Sequence, residues 1–182
     1  MPYTDCGMMF DEISASSLVK IDLDGNKLDD SPYDINPAGF TIHSAIHEAR
    51  ADAKCVLHLH TNAGVAVSCQ SDGLLPISQQ SLLPFIGLSY HDYEGVALRE
   101  DEKPRLVDDL GINKAFILRN HGLLTVGESV SDAFVQMYFL QRACEIQLLA
   151  QSGGSALNKV PEPILAGAQQ MAEQATKALG GD

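Results

Sequence analysis

The run Lys54-Cys55-Val56-Leu57-His58-Leu59-His60-Thr61 constrains this chain more than any other segment. It is rich in Val and Leu, and two histidines alternate with Leu57 and Leu59, the period of a half-buried β-strand. Residues two apart on a strand face the same side, so both imidazoles project together while the leucines pack behind. Two rings placed this way can bind one metal ion, with a third ligand from elsewhere completing a facial set. His121 is the natural third. It follows the apolar strand Ala115–Leu118 in a turn beside Gly122, where the backbone can bend and present the ring. A His-x-His pair alone also fits histidines packed in a core, so the spacing by itself leaves both readings open.

The rest of the chain mixes strands and helices without strict βαβ alternation, which favours α/β with a mixed or antiparallel sheet. Residues 10–22 read as a short helix leading into a strand at Leu18–Ile21, and Asp24-Gly25-Asn26-Lys27 has hairpin-turn chemistry. Residues 31–40 read as a loop punctuated by Pro32 and Pro37. Thr41 to Arg50 reads as a helix, with Ile42, Ala45, Ile46 and Ala49 at helical spacing. Ala63–Cys69 is expected to be helical with Asn62 as its cap. Leu74–Ile77 and Ile86–Tyr90 are expected as short strands separated by a loop. A charged helix over Arg99–Leu110, strands at Ala115–Leu118 and Leu123–Val126, and a long helix over Ser131–Ala150 follow. In that helix Val130, Phe134, Met137, Cys144 and Leu148 are expected to share a face, and Gly153-Gly154 to end it. Pro163–Leu179 is expected to form a last helix.

A length of 182 residues fits one domain, 1–182, large enough to bury a core without staples. Twelve basic against 24 acidic residues give a net charge of −12, which offers no cationic footprint for nucleic acid or anionic lipid. An anionic substrate would need a local positive centre, such as a metal or a helix N-terminus. The cysteines Cys6, Cys55, Cys69 and Cys144 have no CxxC spacing and point to free thiols rather than a disulfide framework. No apolar run approaches membrane-spanning length, and residues 1–20 lack the basic start of a signal peptide. A reduced, cytoplasmic protein is expected.

The run from Ile42 to Thr61, which includes His43, His47, His58 and His60, followed by Leu118-Arg119-Asn120-His121-Gly122-Leu123, resembles the class II aldolase/adducin domain family. Glu12-Ile13-Ser14-Ala15-Ser16-Ser17-Leu18-Val19-Lys20 and Tyr90-His91-Asp92-Tyr93-Glu94-Gly95 resemble its adducin-like bacterial branch most closely. The resemblance spans roughly residues 7 to 150. It implies a three-layer α/β/α fold around a mostly antiparallel sheet. It also implies zinc, or another divalent metal, held by His58, His60 and His121, and a homotetramer with active sites at subunit interfaces. In catalytic members the ion chelates the oxygens of a ketose phosphate or its enediolate, stabilising charge that develops as a C–C bond breaks or a proton leaves.

Three departures bear on the chemistry. Aldolases carry an acidic general acid/base at the head of the helix before the metal strand, where this chain has Gly39, a residue with no titratable group. The chain begins near the family's phosphate loop, which Gly7 matches, as if trimmed at the N-terminus. The tail has no aromatic residue after Phe139, so the tyrosine that aldolases lend to a neighbouring subunit is missing. His43, four residues after Gly39, and His91 are the candidates for a replacement base, against the plainer roles of a packed helix histidine and a loop histidine. His47-Glu48 does not follow the zincin order. The family likeness therefore supports three functions: a metal-dependent lyase acting on a small hydroxy-carbonyl, sugar-phosphate-like compound; a non-catalytic, self-associating adducin-like domain; or an epimerase, dehydratase or decarboxylase on the same scaffold.

Overall fold

In the computed structural model of the protein, residues 2–3, 8–168 and 170 are described. They divide into two compact units, one formed by residues 1–51 with 94–108 and the other by residues 52–93 with 109–182.

In the first unit, strands β1 (Pro2–Tyr3) and β2 (Val19–Lys20) pair antiparallel. Short 3-10 turns at Phe10–Glu12 and Ala15–Ser17 stand where the sequence suggests a helix. The expected hairpin turn is present: Ile21 bridges Lys27, Gly25 takes φ +84°, and the Asp22 carboxylate accepts from the Asp24 and Asn26 amides. Helix α1 runs Pro37–Ala49, four residues earlier than expected. The reason is local. Asn36 Oδ1 accepts from the Ala38 amide at 3.0 Å, and Pro37 takes the first helical position, where its missing N–H is no loss. Pro37 therefore opens the helix rather than prolonging the loop. Thr41, Ile42, Ser44, Ala45 and Ile46 form the buried face of α1.

The second unit is built on a four-stranded sheet of β3 (Cys55–Leu59), β4 (Leu88–His91), β5 (Ala115–Leu118) and β6 (Gly122–Gly127), in the order β3-β6-β5-β4. The first two pairings are antiparallel and β5–β4 is parallel, which is the mixed, mostly antiparallel sheet that the sequence implies. Helices α2 (Asn62–Ser68), α3 (Gln79–Ile86) and α5 (Val130–Ser152) belong to the same unit. Helix α5 packs on the sheet and against α2 and α3. Its core joins Val67, Leu74, Ala115, Ile117, Leu123, Met137, Leu140 and Cys144. Residues that pair across strands share a face, so the register puts His58, Leu124, Phe116, Leu118 and His91 together on the face opposite this cluster. Residues 94–108 belong to the first unit and hold a 3-10 turn at Glu100–Glu102 and most of helix α4 (Lys103–Leu110).

Several local expectations are corrected. The cap of α2 is Thr61, whose Oγ1 accepts from the Gly64 amide, and Asn62 is already helical. Residues 79–85 are helix rather than loop, started by a reciprocal capping box between Ser78 and Ser81, and Ile86, expected to open the next strand, is the last residue of that helix, with β4 beginning at Leu88. Leu74–Ile77 is not a strand, because side chains satisfy its backbone: the Leu74 amide donates to Tyr90 Oη and the Leu75 amide to Gln147 Oε1. On α5 the buried face is Ala133, Met137, Leu140, Cys144 and Gln147. Val130 and Phe134 are instead 71% and 61% exposed. Gly153 caps α5 as expected, a further helical segment covers 162–168, and the remainder of the expected last helix lies outside the described residues. Cys55, Cys69 and Cys144 are free thiols, whereas Cys6 is outside the described residues. Among the described residues no helix is long and apolar enough to cross a membrane.

Candidate metal centre

His58 lies in β3 and His60 one residue past its end, so the two keep the same side of the chain. His121 comes from the turn between β5 and β6. That turn is closed by the His121 amide donating to Leu118 O at 3.1 Å, with Asn120 in the left-handed region at φ +56°. The antiparallel registers Leu59↔Leu123 and Leu118↔Gly122 bring the β5–β6 turn to the end of β3. Space there is tight: a Cβ on Gly122 would stand 2.5 Å from Leu59 O and 3.0 Å from His60 Cδ2. Glycine lets the turn approach the His-x-His pair.

The three imidazoles converge. His58 Nε2 is 2.7 Å from His60 Nε2 and 3.2 Å from His121 Nε2, and the ring centroids are 4.5 to 4.8 Å apart. Among the described residues they are the one group of three or more potential ligands gathered within 4.8 Å. His58 Nδ1 stands 2.9 Å from Leu123 O. A carbonyl oxygen only accepts, so Nδ1 carries the proton and Nε2 the lone pair, the tautomer in which a histidine ligates through Nε2. Burial, and then the proximity of two further imidazoles, His60 and His91, holds the His121 imidazole down at about 4, so it is neutral at physiological pH.

This geometry fits an ion. Nitrogens about 2.0–2.1 Å from a tetrahedral zinc lie roughly 3.3 Å from one another, close to the spacing of His58 and His121. The His58–His60 pair needs to open by only about half an ångström. Three neutral imidazole ligands would leave the full +2 charge on a bound ion and room for an oxygen ligand from outside the chain.

Gly39 is the third residue of α1, so the head of that helix carries no acid at this position. His43, on the same helix, is held down at about 4 by burial and then by His47. His91 ends β4 on the same sheet face as His58, is 5% exposed, and has Nδ1 2.7 Å from Asp109 Oδ2. It is a strand-end residue, not a loop one. Asp109 was not legible as its partner, since 18 residues separate the two and no motif joins them. Gly7 lies outside the described residues.

The model of the class II aldolase and adducin N-terminal domain matches residues 2–148. A Pseudomonas aeruginosa protein named "Putative aldolase class 2 protein" is 64% identical over 165 residues, which is 91% of this chain and 64% of that protein. Alpha-adducin of Rattus norvegicus is 50% identical over 154 residues, 81% of this chain but only 21% of its own length. This chain thus spans less than two thirds of either relative. Among solved structures, an aldolase II superfamily protein from Pseudomonas syringae superposes with a TM-score of 0.87 at 51% identity, over 92% of this chain and 68% of that one. L-fuculose 1-phosphate aldolase from Glaciozyma antarctica PI12 superposes with a TM-score of 0.80 at 28% identity, over 92% of this chain and 65% of that one. A matched domain covering most of the sequence, the shared α/β fold and the gathered histidines lead to one assignment: the chain belongs to the class II aldolase and adducin family.

Proposed function

We propose that this protein binds a divalent metal ion, zinc foremost, through Nε2 of His58, His60 and His121, and carries out aldehyde-lyase-type chemistry on a small hydroxy-carbonyl compound. The observation that carries the reading is the convergence of three Nε2 atoms, with His58 fixed in the ligating tautomer by Leu123 O. A bound ion supplies Lewis-acid stabilisation of the oxyanion that develops as a C–C bond breaks. Proton traffic falls to the chain's own side chains, and Gly39 offers none. His91 is the residue proposed for it, because it shares a sheet face with His58 and Asp109 fixes its ring through Nδ1. His43, with its imidazole held near 4, is a weak base at neutral pH and the lesser candidate. Dehydratase, epimerase and decarboxylase chemistry share the oxyanion and differ in where protons are delivered.

The test is metal content followed by turnover. Purified protein should hold about one zinc per chain, lose it on His58→Ala with His60→Ala, and cleave a ketose or ketose phosphate in a retro-aldol screen. His121→Ala should abolish that activity. Metal-free protein, or turnover indifferent to all three histidines, would refute the assignment.

A second reading, self-association of an adducin-like domain, is favoured by the exposed apolar stripe of Val130, Phe134 and Tyr138 on α5. The expected assembly is a homotetramer, measured by sedimentation velocity, and the free thiols suit a cytoplasmic location. The acidic net charge argues against nucleic acid or membrane partners.

A further inference from the structure

Of the three candidate ligands, His58 lies in β3 and His60 directly extends it, whereas His121 is carried by the turn between β5 and β6. We infer that Arg119 is a positioning residue for this third ligand, clamping the β5–β6 turn from the sheet face opposite His58. The inference rests on the metal-site reading above.

The alternation along β5 sends Ala115, Ile117 and then Arg119 towards the α5 side, away from His58. There the guanidinium stacks over the Tyr90 ring at 4.5 Å. Its Nη1 donates to Gln70 O at 3.0 Å and reaches Ser71 O at 3.4 Å, and its Nε lies 3.8 Å from the Asp92 carboxylate. The planar fork and the cation–π face are both in use, which a lysine could not reproduce.

What the guanidinium grips is itself fixed. Tyr90 Oη accepts from the Leu74 amide at 3.0 Å, and Gly73, at φ +62°, leaves room for that ring where a Cβ would lie 2.5 Å from Oη. Gln70 Oε1 accepts from Gln147 of α5 at 2.6 Å. The backbone of the turn is tied at the same place: the Arg119 amide donates to His91 O at 2.9 Å and the Asn120 amide to Ser68 O at 3.2 Å. Two residues further on, His121 presents its ring to His58. Arg119 therefore touches no ligand and acts only through the direction of the turn. Groups that hydrogen-bond a metal ligand directly govern affinity by about 10- to 100-fold, and Arg119, one step further out, is expected at the low end of that range.

A double-mutant cycle tests this. Zinc affinity is measured by chelator competition, and site geometry by the visible absorption of the Co2+-loaded protein, for the parent, Arg119→Ala, Arg119→Lys, His121→Ala and the combination of Arg119→Ala with His121→Ala. Arg119→Ala should weaken zinc by at least about tenfold and alter the Co2+ spectrum, with Arg119→Lys shifted in the same direction. In the His121→Ala background the Arg119 change should leave the residual affinity of the His58–His60 pair unaltered. Parental affinity and spectrum in Arg119→Ala would overturn the inference, as would an equal loss in the His121→Ala background, which marks a general structural effect. If Arg119→Ala does not fold, Arg119→Lys completes the same cycle. A parent that binds no zinc refutes the metal reading itself, an outcome distinct from a parent that binds while Arg119→Ala changes nothing.

Discussion

His58 Nδ1 and the carbonyl oxygen of Leu123 are 2.9 Å apart, across the register that pairs Leu59 with Leu123 and His58 with Leu124. The neighbouring strand's backbone thus decides which nitrogen of the ring faces His60 and His121. In a metal-free protein those two rings must donate protons to the single lone pair on His58 Nε2, or meet it lone pair to lone pair. A cation removes the conflict.

Zinc should therefore stabilise the fold. At a free concentration about 100 times the dissociation constant the gain is about 2.7 kcal/mol. Thermal denaturation with and without zinc measures it. His58→Ala should lose the zinc-dependent increment, and an unchanged increment would show that the ion binds elsewhere.

Gly122 supports the same geometry by lacking a side chain. An added Cβ meets Leu59 O at 2.5 Å and the His60 ring at 3.0 Å, and the first of these neighbours is backbone that cannot turn away. Gly122→Ala should cost about 1–3 kcal/mol of stability and weaken zinc binding as well, because relief pushes the turn away from β3. Chemical denaturation and chelator competition on the same variant would show both effects together; retained affinity would mean the turn can shift without moving His121.

His43 gives the metal-free protein an acid-sensitive component. Burial, then His47, brings its imidazole from 6.5 down to about 4. Between those values the unfolded chain takes up a proton that the folded chain refuses. The associated stability is complete above about pH 6.5 and is lost as the pH falls towards 4, by at most about 3 kcal/mol. His43→Gln should flatten that part of the profile. His121 contributes a loss of the same sign, so the difference between parent and variant urea midpoints from pH 4 to 7, in chelator, isolates His43.

The gathering of His58, His60 and His121 is legible in the sequence because period-2 alternation fixes where His58 and His60 point, and a glycine beside His121 marks a turn. The strands β5 and β6 are legible for a different reason, as short apolar runs bounded by turn residues and buried on both faces, and α5 as a long segment free of Gly and Pro between Ser129 and Gly153. What escaped was set by partners distant in sequence. Leu74–Ile77 has a strand's composition, yet its amides bond to Tyr90 and Gln147, and no pattern reveals that. Helix α3 hides behind Ser and Pro, whose roles as cap and tolerated interior residue depend on position. Val130 and Phe134 show that apolar residues on a long helix need not face the core.

Gln147 makes the sharpest stability prediction. It is fully buried on α5, where its Oε1 accepts from the Leu75 amide at 2.7 Å and its Nε2 donates to Gly73 O at 2.8 Å and Gln70 Oε1 at 2.6 Å. These bonds hold the 70–75 segment that a neighbouring strand would otherwise have to satisfy. Gln147→Leu keeps the volume but strands a backbone donor and a backbone acceptor, at about 1–3 kcal/mol each. Gln147→Glu should be worse, because it retains the acceptor for Leu75 while turning a buried carboxylate oxygen towards the Gly73 carbonyl. Urea unfolding should rank the parent above Gln147→Leu and Gln147→Glu lowest. Amide exchange should show Leu75 losing protection in Gln147→Leu and keeping more of it in Gln147→Glu at low pH, where the acid is protonated and can donate to Gly73 O again. A Gln147→Leu protein as stable as the parent would mean that water replaces the amide and that the loop, rather than the glutamine, sets its own conformation.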